Sequence, residues 1–208
     1  MRSADRMVAL RYPVQRAWAR FKTRYLLDYT FVHINKTGGS SIEQALGMPF
    51  QHRTALELRE LIGDAAWDRR FSFAFVRNPW DKAVSHYHYR VKTGQMGLGD
   101  TPVPFDEWVI RAYGEHDPAY YDQPRMFMPQ YQWLSGPSGN SMVDFVGRFE
   151  RLHDDFAEVC RRIDVDASLP HLKKSKHRDY RDLYSTECRD VIARVFEGDL
   201  ERYDYEFG

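Results

Sequence analysis

The chain has 208 residues, 43% apolar and 15% aromatic, with a formal net charge of +0 at pH 7. This suits one domain with its own core and excludes a general electrostatic pull toward nucleic acid or membrane. Only Cys160 and Cys188 are present, which excludes a disulfide framework and points to reduced thiols in a cytoplasmic protein; no apolar run reaches the roughly 18–20 residues that cross a bilayer, and none forms a leader at the start.

Residues 1–28 carry Arg2, Arg6, Arg11, Arg16, Arg20, Lys22 and Arg24 against Asp5 and Asp28. The pattern over 8–28 predicts one or two basic helical turns, broken near Pro13. Such an arm can touch an anionic partner, including the periphery of a membrane. A solvated helix packed on the domain explains the same residues more simply. Phe31–Asn35 is predicted as the first strand, and the loop Lys36-Thr37-Gly38-Gly39-Ser40-Ser41 follows. A helix over 41–46 comes next, with Ser40 and Glu43, or Ser41 and Gln44, as a capping box. Gly47 and Pro49 close it. Thr54 and Glu57 form a second capping box before Leu58, Leu61 and Ile62 at helical spacing.

Phe71–Val76 is predicted as a second strand, apolar on both faces as buried parallel strands are. It runs into Arg77-Asn78-Pro79, where Asn78 suits an N-cap and Pro79 a first helical position. Residues 93–104, rich in glycine and proline, are predicted as a surface loop. Residues 105–134 are aromatic and expected to be mostly helical, with 136–140 as a turn. Met142–Phe149 is predicted as a strand, Glu150–Ile163 as a helix and 169–184 as a basic irregular segment. A last helix is expected from Ser185 or Thr186 to near Gly198. Two βα units within the first 92 residues predict an α/β fold: a single domain with a central, mainly parallel sheet flanked by helices.

The chemistry lies in the two βα turns. A strand that enters a glycine-containing loop and then a helix turns backbone N–H groups toward one point, where an anion can bind. Gly38 and Gly39 permit close approach. Thr37, Ser40 and Ser41 supply hydroxyls, and Lys36 supplies a mobile charge that can follow a developing negative oxygen. The loop is not a Walker A motif, because Lys36 precedes the glycines. Arg77 stands at the end of the second strand, where open α/β sheets place ligands, and its planar fork suits phosphate. The plainer alternative is an ion pair with Asp81. Ser85, two turns on, offers a hydroxyl to the same anion. Two such turns suggest a ligand with two anionic groups. No residue set has metal-ligand spacing: no further ligand is spaced to join His86-x-His88, there is no HExxH, and the two cysteines are far apart.

HINKTGGSS followed by FAFVRNPWDKAVSHY resembles the paired cofactor-binding motifs of the sulfotransferases, with sulfotransferase family 2 the nearest branch. Its usual forms are HIPKTGGTS and FVRNPWDRLVSAY. The resemblance continues through VDFVGRFERLHDDF, LPHLKKSKHRDYRDLY and GDLERYDYEF, covering nearly everything after residue 30. It implies the P-loop-like sulfotransferase fold and the donor 3′-phosphoadenosine 5′-phosphosulfate (PAPS), with no metal required. Carried over by position, Lys36, Thr37, Gly38, Gly39, Ser40 and Ser41 hold the 5′-phosphosulfate, and Arg77 and Ser85 hold the 3′-phosphate. Lys174, Ser175 and Lys176 fold over the nucleotide, although Lys173 replaces an asparagine usual in relatives. Asn35 and Ser40 replace proline and threonine.

Transfer to a hydroxyl needs a base, and His52, on the loop after the first helix, is the choice over His33, His86, His88, Glu57 and Asp81. Lys36 is the candidate for stabilising the leaving oxygen. The acceptor implied is a carbohydrate or glycolipid, in a groove shaped by residues 93–104 and the aromatic run Tyr113–Trp133. The alternatives are a small-molecule kinase-like phosphotransferase, weakened by the missing Walker A pattern, and a non-catalytic nucleotide-binding module.

Overall fold

Runs of aromatic and β-branched residues build the sheet. In the computed structural model, which describes residues 17–170 and 179–208, three strands form it: β1 (Tyr29–Val32), β2 (Phe71–Val76) and β3 (Phe145–Arg148). All pairing is parallel, in the order β1-β2-β3, and Phe73 of the central strand is in register with Phe31 on one side and Phe145 on the other. Alternate residues of β2 face opposite ways. Phe73 and Phe75 join Phe31, Ile42, Leu152, Phe156 and Val159 in one apolar layer. Ala74 and Val76 join Val32, Ile34, Ala55, Leu58 and Trp133 in the other. The α/β expectation holds, with helices on both faces.

The helices that position the site are α2 (Gly39–Ala45), α3 (Ala55–Ile62), α5 (Pro79–Lys92), α8 (Gln130–Leu134) and α9 (Leu152–Ile163), with short α4 (Asp64–Arg69) between α3 and β2. α6 (Phe105–Val109) runs into a π-helical turn, Ile110–Gly114, and α7 (Pro124–Phe127) follows after irregular chain. The aromatic run is therefore helical only in part. Most of it is core: Trp108, Tyr113, Tyr120, Phe127 and Trp133 are buried, and α5, α6 and α10 (Thr186–Val195) meet around the first four.

Several boundaries differ from the sequence reading. β1 starts two residues earlier and ends three earlier, and β3 keeps only Phe145–Arg148 of 142–149. The box at Thr54–Glu57 forms: Glu57 N donates to Thr54 Oγ1 at 3.2 Å and Thr54 N to Glu57 Oε2 at 2.8 Å. Neither box expected at Ser40 or Ser41 does. The α2 N-cap is Gly38, with no side-chain cap, so Ser40 and Ser41 fall inside the helix; the Glu43 carboxylate instead accepts from the Gln51 backbone amide at 3.1 Å and approaches His33. The last predicted helix, α10, expected to end near Gly198, stops at Val195, where the chain leaves helical geometry at the fully buried Phe196, and an unforeseen helix, α11 (Glu197–Tyr203), follows. Ser185 caps α10, accepting from Cys188 N at 3.3 Å.

Residues 17–25 form a helix, α1; the part of the arm before it lies outside the described residues. Thr23 and Leu27 are buried. Arg70 donates to Thr23 O at 2.8 Å and Arg24 O at 2.9 Å, and Gln51 Nε2 to Thr23 Oγ1 at 3.1 Å. One face of the basic arm is thus packed on the domain.

Candidate active site

The loop between β1 and α2 reverses through two left-handed residues, Lys36 at φ 67° and Gly38 at φ 84°. For lysine that conformation costs about 1–2 kcal/mol, and such strain gathers at ligand-binding turns. Thr37 Oγ1 donates to Ile34 O at 2.9 Å and is fully buried. Its proton is committed to holding the loop, so the hydroxyl expected to face an anion does not. Ser40 is exposed and Ser41 half-buried, and neither hydroxyl has a partner among the described residues. The first turn of α2 has no acidic residue and no capping side chain.

Gly39 is required for a different reason. The His33 ring lies directly over it, and a Cβ there would sit 2.0 Å from His33 Cδ2. The ring cannot retreat easily, being stacked on Phe31 at 5.6 Å and packed against His52 at 4.2 Å and Phe50 at 5.4 Å. Its Nδ1 lies 3.0 Å from Glu43 Oε2, too obliquely for a hydrogen bond. Gly39→Ala is therefore expected to destabilise the fold by about 1–3 kcal/mol, lowering the melting temperature by roughly 2–12 °C for a chain of this size. Differential scanning calorimetry checks it, and an unchanged melting temperature would mean that His33 has room to move.

The second turn is locked onto the first. Arg77 is at once in the ion pair with Asp81, with Nη2 2.7 Å and Nε 2.9 Å from Oδ2, and in contact with the first loop, its Nη1 donating to Lys36 O at 3.2 Å. Its guanidinium covers the Phe149 ring at 4.0 Å. Two of its five N–H groups remain for a ligand. Asp81, Ser85 and Tyr89 continue the same face of α5 at helical spacing. Lys36 Nζ lies over the Tyr89 ring at 4.2 Å, which places the lysine along that face. Burial lowers the Lys36 pKa to about 8, helped by Arg77 and Lys92. Ser85 is half-buried, with no hydroxyl partner among the described residues.

His52 stands at the opposite edge. Its Nδ1 is 3.0 Å from His33 O. A carbonyl can only accept, so Nδ1 carries the proton and Nε2 keeps its lone pair. Burial lowers its pKa to about 4, with His33, Arg125 and Lys36 adding to the effect. The other candidates are placed otherwise. His86 is buried in the core with Nδ1 3.1 Å from Tyr113 OH. Glu57 holds its cap and Arg125, and Asp81 holds Arg77. Lys174, Ser175 and Lys176 lie outside the described residues.

Three supporting residues escaped the sequence reading. Gln130 clasps the Arg77 main chain from both sides, its Nε2 donating to Arg77 O at 2.8 Å and its Oε1 accepting from Arg77 N at 2.9 Å. Buried Asp199 of α11 holds Gln130, accepting from its N at 2.8 Å and from Tyr131 N at 2.7 Å. Arg125 donates to His52 O at 2.9 Å and pairs with Glu57 at 2.6 Å. A polar residue at the start of an apolar helix was the one hint for Gln130. Nothing local marks Asp199 or Arg125.

Two exposed aromatics flank the site: Phe50, 5.0 Å from the His52 ring, and Tyr89 beneath Lys36. A cavity of about 640 Å³ lined by Tyr113, Tyr121, Phe127 and Gln132 shares with the site only Arg125. Among the described residues no group of three His, Cys, Asp or Glu side chains is placed to hold a metal, and no helix is long and apolar enough to cross a membrane.

A model of the sulfotransferase family matches residues 28–206. A protein of Archaeoglobus fulgidus, described as uncharacterized, is 29% identical over 113 residues, which are 54% of this chain and 82% of that one. A solved structure described as a sulfotransferase from Alicyclobacillus acidocaldarius aligns over 86% of this chain and 96% of its own, at 16% identity and a TM-score of 0.48.

Proposed function

The chain belongs to the sulfotransferase family, and from that premise we propose that it moves a sulfuryl group from PAPS to a hydroxyl of a saccharide or glycolipid. The observation that carries this reading is the junction of the two turns, where Arg77 donates to the Lys36 carbonyl. It fuses the loop and the start of α5 into one basic cradle whose remaining donors, on Lys36, Ser40, Ser41, Arg77 and Ser85, have no acceptor among the described residues. The left-handed turn at Lys36 and Gly38 and the uncapped start of α2 fit a phosphosulfate.

The donor supplies an S–O bond that breaks to leave a bisphosphate. Lys36 meets the negative charge that gathers on the leaving oxygen. His52 Nε2 takes the acceptor proton as the new S–O bond forms. Arg77, its main chain fixed by Gln130, and Ser85 hold the second anionic group. Phe50 and Tyr89 offer flat apolar faces beside the base and the cation, as a sugar ring requires.

The reading is tested by incubating the protein with sulfur-labelled donor and with saccharide, glycolipid, phenolic and peptide acceptors, followed by mass spectrometry. Labelled saccharide or glycolipid is the expected product. In parallel, adenosine 3′,5′-bisphosphate should raise the melting temperature and ATP should not. Arg77→Ala should weaken bisphosphate affinity about 10–100-fold, the worth of one or two charge-assisted hydrogen bonds. Stabilisation by ATP alone, or an affinity indifferent to Arg77, would overturn the assignment.

A further inference from the structure

Helix α1 presents an aromatic stripe to solvent. Trp18, Phe21 and Tyr25 recur at the spacing of one helical face and remain 58%, 47% and 62% exposed. Leu26, at the end of the helix, is 53% exposed. The rings contact one another, Trp18 to Phe21 at 5.7 Å and Phe21 to Tyr25 at 5.2 Å. The opposite face holds the domain through Thr23 and Leu27. At 100° per residue the centre of the stripe falls some 180° from that docked face, so the rings point away from the core that would have covered them. A contiguous exposed aromatic stripe is uncommon on a monomer and marks an interaction surface.

Charge selects the occupant. Residues 1–28 hold seven Lys/Arg against two Asp, a net +5, while the whole chain sums to +0, so the remaining residues carry −5. On α1 itself Arg20 and Arg24 are exposed, and the Arg24 guanidinium lies 5.4 Å from the Tyr25 ring. Two copies pairing stripe to stripe would bring these cations together with little to offset them. An anionic surface with an apolar interior satisfies both features: the aromatic rings enter at headgroup depth while the arginines meet phosphate.

We infer that α1 is an interfacial helix that seats this protein on an anionic lipid bilayer, lying in the plane of the surface and not crossing it. The seat adjoins the candidate active site. Lys22 donates to Gly47 O and Gln51 to Thr23 Oγ1, so α1 is packed against the loop that carries Phe50 and His52. Phe50, on that loop, is 64% exposed. The inference stands on α1 alone and survives if the sulfotransferase reading fails. If both hold, the acceptor hydroxyl is offered at a lipid surface.

Trp18 makes the test direct. The other four tryptophans, Trp67, Trp80, Trp108 and Trp133, are buried, so quenching by acrylamide reports chiefly on Trp18. The full chain is mixed with vesicles of phosphatidylcholine and of phosphatidylcholine with phosphatidylglycerol, and partition is measured by sedimentation. The anionic vesicles should shift the emission to the blue, protect Trp18 from quencher and carry the protein down, less so at high salt. The triple variant Trp18→Ser, Phe21→Ser, Tyr25→Ser should keep its melting temperature and lose partition by about tenfold or more. Arg20→Glu with Arg24→Glu should lose the preference for anionic lipid. No partition to anionic vesicles, equal partition by the triple variant, or protection of Trp18 through self-association without vesicles would each overturn the inference.

Discussion

Alanine at position 36 is expected to lower turnover by roughly 10²–10³-fold, the usual loss when one charge-stabilising donor is removed from a transition state. The melting temperature should hold or rise. Lys36 has no carboxylate partner in the described structure; its ammonium lies on the Tyr89 ring with Arg77 and Lys92 adding repulsion. Its backbone sits at φ 67°. Both features oppose folding, so Lys36→Gly, which relieves the second as well, should be the more stable of the two variants and equally inactive. The pH dependence follows from the lowered pKa of about 8. The charged form is lost as pH rises through that value, so donor affinity should fall there. In Lys36→Arg, which stays charged, the fall should disappear. Kinetics and calorimetry on the three variants decide it; early melting with intact specific activity would make Lys36 a structural residue.

Removing the imidazole of His52 is expected to lower kcat by about 10²–10⁴-fold, the usual contribution of a positioned base, while leaving bisphosphate affinity unchanged. The folded pKa of about 4 is below the ordinary histidine value of 6.5. His52 is therefore neutral, and able to accept a proton, at every pH above about 4. In the parent protein kcat/KM should climb as pH rises through about 4, run level, and fall through about 8 as Lys36 loses its charge. His52→Ala should keep the upper limb and lose the lower one. Survival of both limbs in the variant would remove His52 from the proton transfer and turn attention to groups brought in by the acceptor.

The two turns were readable from sequence because their chemistry is local. Glycine at a left-handed position, a strand end followed by Asn-Pro, and a lysine beside glycines all speak within a few residues. Phe71–Val76 was legible to the residue, since both of its faces are buried and its composition says so. What failed was long-range. Glu43 fitted a capping box by spacing, and the fold turned it toward Gln51 and His33. Thr37 looked like a free hydroxyl, and the loop used it to close on Ile34. Phe196 ended a helix whose pattern ran on smoothly, because the core claimed its ring. Gln130, Arg125 and Asp199 reach the site from 53, 73 and 69 residues away from their respective partners Arg77, His52 and Gln130, and no local pattern records such pairings. The family resemblance added an expectation that the residues alone left open, a phosphosulfate donor, but it did not indicate which groups brace the two turns.

The clasp of Gln130 on Arg77 ties the second turn to a distant part of the chain. The clasp is set by Asp199, and Asn78, beside Arg77, donates to Glu206 O at 2.8 Å. Trp80, at the start of the same helix, packs on Phe207 at 5.3 Å. The turn at Arg77 is thus braced by Asp199, Glu206 and Phe207, residues far from it along the chain. A chain cut before Asp199 keeps both turns in its sequence, yet lacks the carboxylate that holds Gln130 and the carbonyl that receives Asn78. Trimming those residues is therefore expected to loosen the Arg77 turn, although none of them lies in either motif.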